Sequence, residues 1–231
     1  MLIIPSGIPS STGYTIENAA VFNDNDSDYL FRTPAVTGNR RTWTFSAWIK
    51  RGNIDTSSGV HLLGVDRSGG YSDRITYGNG DNDDNFNVMF NDAGSGRLET
   101  TAVFRDPSAW MSYIVSCDTT QSSNQVKIYI NGVLVSAFDT SSQPAQNFDT
   151  MMNHTVAHHI GSRGGSASQF FDGAMADVHF VDGTALTHAS FGELDSNGVW
   201  TPIEYAGSYG TNGFHLKFDD IANLGKNAVY D

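Results

Sequence analysis

Apolar and polar residues alternate with a period of two along most of this chain. Starting at Val126, the run Val-Lys-Ile-Tyr-Ile places Val126, Ile128 and Ile130 on one face and Lys127 and Tyr129 on the other. Asn131-Gly132 follows, a pair suited to the two positive-φ positions of a type I′ turn, and Val133-Leu134-Val135 returns. Residues 126–138 thus predict a complete β-hairpin. Shorter runs predict strands at 19–22, 29–32, 42–50, 60–65, 74–77, 86–90, 98–104, 110–117, 155–161, 170–181 (interrupted by Gly173) and 214–218. Residues 1–13 are rich in Pro, Ser and Gly and read as an arm or linker; residues 14–231 read as one domain. Residues 140–153 read as a polar connection and 162–168 as a glycine loop. Residues 186–194 leave room for a helical turn or two, but no amphipathic run supports a helix of three turns. So many short strands without helices imply an all-β, two-sheet antiparallel sandwich.

Composition narrows the chemistry. Of 231 residues, 39% are apolar and 16% charged, with a net charge of −12 carried by 21 Asp and 4 Glu. Asp favours turns over helices, so this charge belongs in loops. Four Lys and nine Arg without a basic run exclude phosphate-neutralising nucleic-acid binding. Cys117, the single cysteine, lies in a strand-like run and reads as a small core residue. Residues 1–9 lack the positive region and long apolar run of a cleavable leader, and no stretch approaches a membrane span.

Several blocks resemble the laminin G-like, concanavalin A-like jelly roll. Trp43-Thr-Phe-Ser-Ala-Trp48-Ile-Lys resembles its early core strand. The segment from Trp110 to Asp118, with the Asn131-Gly132 hairpin, is similar to its central strands. His159-Ile-Gly161, Phe171-Asp-Gly173 through Phe180 and Ala185-Leu-Thr187 resemble its closing pattern. Gly38-Asn-Arg-Arg-Thr-Trp43, Phe104-Arg-Asp-Pro-Ser-Ala-Trp110 and Phe191 through Pro202 are similar to the version in marine tailed-phage virion proteins. In that subgroup further domains usually follow the last strand; residues 227–231 end this chain, as a standalone module or as a cut one. The resemblance implies a jelly-roll sandwich and a non-enzymatic virion-surface role: capsid decoration, head fibre or tail-fibre adhesion. Other virion subunits and a host-surface glycan are the implied partners, with homo-oligomerisation left open. The alternative is a free-standing carbohydrate-binding lectin module of a bacterial surface or secreted protein.

Jelly-roll glycosidases place two carboxylates across a sugar cleft on one strand face. Glu17, Glu99 and Glu204 lack a second acid at that spacing, and Glu193 with Asp195 meets Gly198 where a second Glu would fall. No enzyme is expected. His154, His158 and His159 form a histidine cluster, but 158 and 159 face opposite ways on a strand, so rim histidines are expected there rather than zinc. Calcium has two candidate loops: Asp24, Asp26 and Asp28, and Asp81, Asp83 and Asp84, with solvated turn acids as the competing reading. Sugar recognition needs aromatic faces beside polar groups, and Tyr71, Asp73, Arg74, Tyr77 and Asn85 are the candidate rim.

Overall fold

The structure, a computed structural model, describes residues 1–8, 13–54, 59–67, 71–78, 84–91, 94–164 and 168–229, without the side chains of residues 66, 67 and 71. Among the described residues the strands in chain order are β1 (Leu2–Pro5), β2 (Asn18–Phe22), β3 (Leu30–Arg32), β4 (Thr42–Arg51), β5 (Val60–Arg67) and β6 (Tyr71–Tyr77). Next come β7 (Asn85–Phe90), β8 (Gly96–Val103), β9 (Met111–Asp118), β10 (Val126–Ile130), β11 (Val133–Leu134) and β12 (Phe138–Ser142). The chain closes with β13 (His158–Ile160), β14 (Gly173–Asp182), β15 (Gly192–Leu194), β16 (Trp200–Pro202) and β17 (Phe214–Leu216).

Two antiparallel sheets face each other. One runs β1-β2-β14-β4-β9-β10-β11, with β17 also on β14; the other runs β12-β8-β7-β6-β5-β13-β3. The expected hairpin forms, with Ile130 opposite Val133 and Asn131 and Gly132 at φ 48° and 78°. A Cβ on Gly132 would also overlap the Trp200 ring, so packing demands glycine there as firmly as the turn does.

Alternation sorts the side chains. Trp43, Phe45, Ala47 and Ile49 of β4 meet Ile75, Tyr77, Phe86, Val88 and Phe90 in the core between the sheets. Cys117 is buried among them, and burial pushes its thiol well above the ordinary range, consistent with an inert core residue. The other face of the first sheet is apolar as well. Trp48, Ala174 and Ala176 pack under Ile8, Ile16 and Trp200, while Ile114, Tyr129 and Val181 pack under Phe191 and Tyr209. Chain flanking the sandwich therefore covers that sheet. The outer face of the second sheet is instead polar, with Arg74 and Arg97 half-buried on it and Thr76 and Asn87 buried among their neighbours.

Two expectations change and a third is met in its shorter form. Residues 1–13 are not wholly an arm, because Leu2–Pro5 pairs with β2 as an edge strand. The connection at 140–153 begins as β12, which pairs with β8 despite its polar sequence. An edge strand needs backbone partners more than an apolar face. Residues 186–194 hold a single 3₁₀ turn, His188–Ser190, followed by β15. Among the described residues no helix is long and apolar enough to cross a membrane.

Candidate functional site

The outer face of the seven-stranded sheet carries two unlike flanks. Register lines up one row across six strands: Phe31, His159, Gly64, Arg74, Met89 and Arg97. At one end Phe31 is 66% exposed. Tyr29 stacks on His159 with ring centroids 5.1 Å apart and planes 2° from parallel, and Phe31 and Phe170 flank this pair. An aromatic ledge results, with the Phe31 ring exposed, Tyr29 and Phe170 half-buried and His159 buried beneath them.

The other flank is a polar groove. Gly64 lets chain after β13 cross the sheet, since a Cβ there would lie 2.7 Å from the Ser162 carbonyl oxygen and 2.8 Å from the Gly164 nitrogen. That crossing brings Arg163 and Gln169 over β5 and β6, enclosing about 160 Å³ with His61, Arg74, Thr76 and Met89. His61 is buried, and its Nδ1 has no hydrogen-bond partner. Burial, then the charges of Arg74 and Arg163, lower its pKa from 6.5 to about 3, so it stands neutral.

Beside the groove, Asn87 donates to Asn85 Oδ1 at 2.6 Å and Asn85 donates to Glu99 Oε1 at 2.7 Å. Arg97 pairs with Glu99 Oε2 at 2.5 Å, and the Thr140 hydroxyl donates to the same oxygen at 3.1 Å. Burial pushes Glu99 up, but the hydrogen bonds from Asn85 and Arg97, with the Arg97 charge, outweigh it and hold the carboxyl below its usual range. An ionised, fully occupied carboxylate is a poor general acid.

Of the sequence-predicted rim, Arg74 and Asn85 lie on this face. Asp73 and Tyr77 do not, because they alternate with Arg74 and Thr76 and so point inward. Asp73 is fully buried and accepts from the backbone N–H groups of Asn91 and Met151. Tyr77 is a core ring under the Arg51 guanidinium, 4.5 Å from its centroid. Tyr71 begins β6, and its side chain lies outside the described residues. The ledge of Tyr29, Phe31, His159 and Phe170 escaped the sequence reading because β3 and β13 are paired neighbours only in space.

The acidic loops also resolve differently. Asp84 is buried, with Arg51 at 2.8 Å on Oδ1 and Arg105 at 2.7 Å on Oδ2, so it is an ion-pair anchor rather than a free ligand. Asp81 and Asp83 lie outside the described residues. Asp24, Asp26 and Asp28 do not converge. Asp26 accepts from Asn23 at 2.7 Å, Asp28 pairs with the Met1 amino group at 3.0 Å, and Asp24 accepts from Asn53 at 2.9 Å. Asp24 Oδ1 is buried without a hydrogen bond. Nearby Asp172 has its pKa raised by burial and by the Asp24 charge.

His158 and His159 do face opposite ways. Their neighbour signal hid a different cluster: among the described residues, Asp177, His179 and His215 are the group whose ligand atoms all lie within 4.8 Å. Asp177-Val178-His179 satisfies the two-residue spacing of strand ligands, a signal present in the sequence. His215 joins them only through pairing of β17 with β14.

The family profile described as the concanavalin A-like lectin/glucanases superfamily matches residues 23–191. Domain 4 of AbnA, a GH43 extracellular arabinanase from Geobacillus stearothermophilus solved with arabinotriose, is similar at 17% identity and a TM-score of 0.51, covering 75% of this chain and 74% of that one. The enzymatically active domain of tailspike protein 2 from bacteriophage CBA120 is similar at 12% identity and a TM-score of 0.51. That match covers 82% of this chain and 28% of the other. At these identities the likenesses show the fold alone. No curated protein sequence matches the chain.

Proposed function

Because this chain belongs to the concanavalin A-like lectin/glucanases superfamily, we propose that it is a non-catalytic carbohydrate-recognition protein whose glycan site is the outer face of the seven-stranded sheet. One observation carries the reading: the exposed Phe31 ring, with half-buried Tyr29 beside it, shares a face with a polar groove at His61, Arg74 and Gln169. Sugars pair apolar C–H faces with hydroxyl edges, and the two flanks match both. Arg74, Arg97 and Arg163 place three guanidinium groups on or over this face of a chain whose net charge is −12. Local positive charge on an acidic protein favours a glycan bearing carboxylates. The carboxylate Glu99, held ionised by Arg97 and Asn85, supports binding without hydrolysis.

The setting we propose is a tailed-phage virion surface, where the protein adheres to host glycan and other virion subunits hold it. The likeness to a phage tailspike domain supports this setting, as do the exposed apolar side chains Val133, Leu134, Leu194 and Val199 on the far side. One Ca²⁺ at the rim where Asp24 meets Asp172 belongs to the same reading, supported by the bare Asp24 Oδ1. The test is calorimetry against acidic and neutral oligosaccharides chosen from a glycan array. Phe31→Ala and Arg74→Ala should each weaken binding at least tenfold without lowering the melting temperature. Binding unchanged in both variants, or reducing ends released at catalytic rates, would sink the proposal. Absence of the protein from purified particles would move it to the lectin alternative.

A further inference from the structure

On the opposite side of the sandwich, β14 carries a bulge. Ala176 faces Trp48 and His179 faces Ser46, so two residues, 177 and 178, stand against Ala47 alone. Asp177 takes φ 50°, a backbone region that Asp tolerates better than most residues. The extra residue turns Ala176 and Asp177 both outward and returns Val178 to the core. Strict alternation from Met175 would instead bury the Asp177 carboxylate among the core side chains.

The re-aimed carboxylate meets two imidazoles. His179 and His215 are register partners on β14 and β17, and their rings stack 3.9 Å apart. Both present Nε2 to Asp177, His215 at 2.6 Å from Oδ1 and His179 at 3.1 Å from Oδ2. All three residues are buried. The far nitrogen of His179, Nδ1, lies 2.7 Å from the Tyr209 hydroxyl, and the Tyr14 hydroxyl donates to Asp177 Oδ1 at 2.8 Å. Asp177 also forms part of the wall of a cavity of about 210 Å³ that Tyr14, Glu17, Lys217 and Asp219 share.

From this geometry we infer that Asp177, His179 and His215 form a binding site for a divalent transition-metal ion of the zinc type. Two imidazole nitrogens and one carboxylate oxygen are a donor set that zinc accepts and that calcium and magnesium disfavour. Ligands about 2.1 Å from a tetrahedral ion stand about 3.4 Å from each other. The separations of 2.6 and 3.1 Å need to open by less than an ångström, and the two stacked rings, now 20° from parallel, need to rotate apart so that both Nε2 lone pairs meet the ion. Each imidazole coordinates through Nε2 and keeps its proton on Nδ1; for His179 the Tyr209 oxygen accepts that proton, fixing ring and tautomer. The cavity supplies water to the remaining coordination position. Such an ion ties β14 to β17 and, through the Tyr14 hydroxyl, to the segment before β2. It acts as a clasp on the sheet face opposite the glycan site, and its test is independent of that reading.

The experiment is zinc titration of chelator-stripped protein by calorimetry and thermal melting, run in saturating CaCl₂ so that a rim calcium does not contribute, with MgCl₂ as the control. One Zn²⁺ per chain and a raised melting temperature are expected, with at least a hundredfold weaker binding in Asp177→Asn and His215→Gln. Tyr209→Phe should weaken binding about tenfold. No stoichiometric binding by the unaltered protein, or equal affinity in both ligand variants, would overturn the site and leave a hydrogen-bonded triad. Should those variants unfold, Co²⁺ bound to the unaltered protein decides. Paramagnetic broadening centred on the His179 and His215 imidazoles supports the site, and broadening centred on His154 or another histidine overturns it.

Discussion

His158 makes the pH dependence of folding calculable. Its Nδ1–H donates to the Val156 carbonyl at 2.8 Å, and its Nε2 accepts from the Asn153 backbone N–H at 3.0 Å. A second ring proton would point at that N–H, so the bonded ring is neutral. Burial is the largest cause of a pKa lowered from 6.5 to about 4; the Val156 hydrogen bond opposes it, and the Arg32 charge and the neighbouring imidazoles add to it. The sign follows from proton counting. Between pH 6.5 and 4 the unfolded chain binds more protons than the folded one, so stability falls as pH falls, starting near 6.5 and levelling off near 4. At pH 5.0 roughly 97% of unfolded imidazoles are protonated against roughly 9% of folded ones, a loss of about 2 kcal/mol relative to pH 7.5. His61, lowered to about 3, adds about 2 kcal/mol by the same linkage. Urea unfolding at the two pH values should therefore show the unaltered protein losing about 2 kcal/mol more than His158→Gln does. Histidine NMR between pH 8 and 5 checks the folded state directly. A His158 ring that titrates near 6.5, or equal pH losses in the two proteins, would refute the reasoning.

Three further outcomes test the fold and its rim. Asp84→Ala leaves the buried Arg51 guanidinium without its carboxylate and should cost about 3–5 kcal/mol in urea unfolding; a loss under about 1 kcal/mol would show that the Phe104 and Asn53 carbonyls suffice for Arg51. Gly132→Ala must take a left-handed backbone and displace the Trp200 ring, so it should cost about 2–3 kcal/mol and shift the tryptophan emission; an unchanged spectrum would count against that packing. Added CaCl₂ should raise the melting temperature of chelator-treated protein, and Asp24→Asn should remove the rise; equal melting with and without chelator argues against a rim calcium.

Much of the scaffold was legible because local patterning and turn chemistry act within a few residues. The hairpin at Asn131-Gly132 and the core strand from Trp43 both stand where alternation placed them. The site was less legible. Asp73, Arg74 and Tyr77 cluster in sequence, yet strand periodicity sends Arg74 out and the other two in. The aromatic ledge joins Tyr29 and Phe31 to His159, residues more than 120 positions apart that meet because β3 pairs with β13. Asp84 looked like a loop acid until the fold set Arg51 and Arg105 against both its oxygens.

By itself, then, the order of apolar and polar residues determined an antiparallel sandwich, its strongest strands and its turn glycines, since each depends on a periodicity of two or a single backbone angle. Tertiary structure alone decided that apolar chain covers the outer face of one sheet, while the outer face of the other is polar and is crossed by chain at Gly64. It also decided, through one extra residue in β14, that Asp177 would meet His179 and His215. Those outcomes depend on which strands become neighbours and where their register slips; the spacing of Asp177 and His179 is visible in the sequence, but nothing local to them points to His215 or to the bulge that turns Asp177 outward.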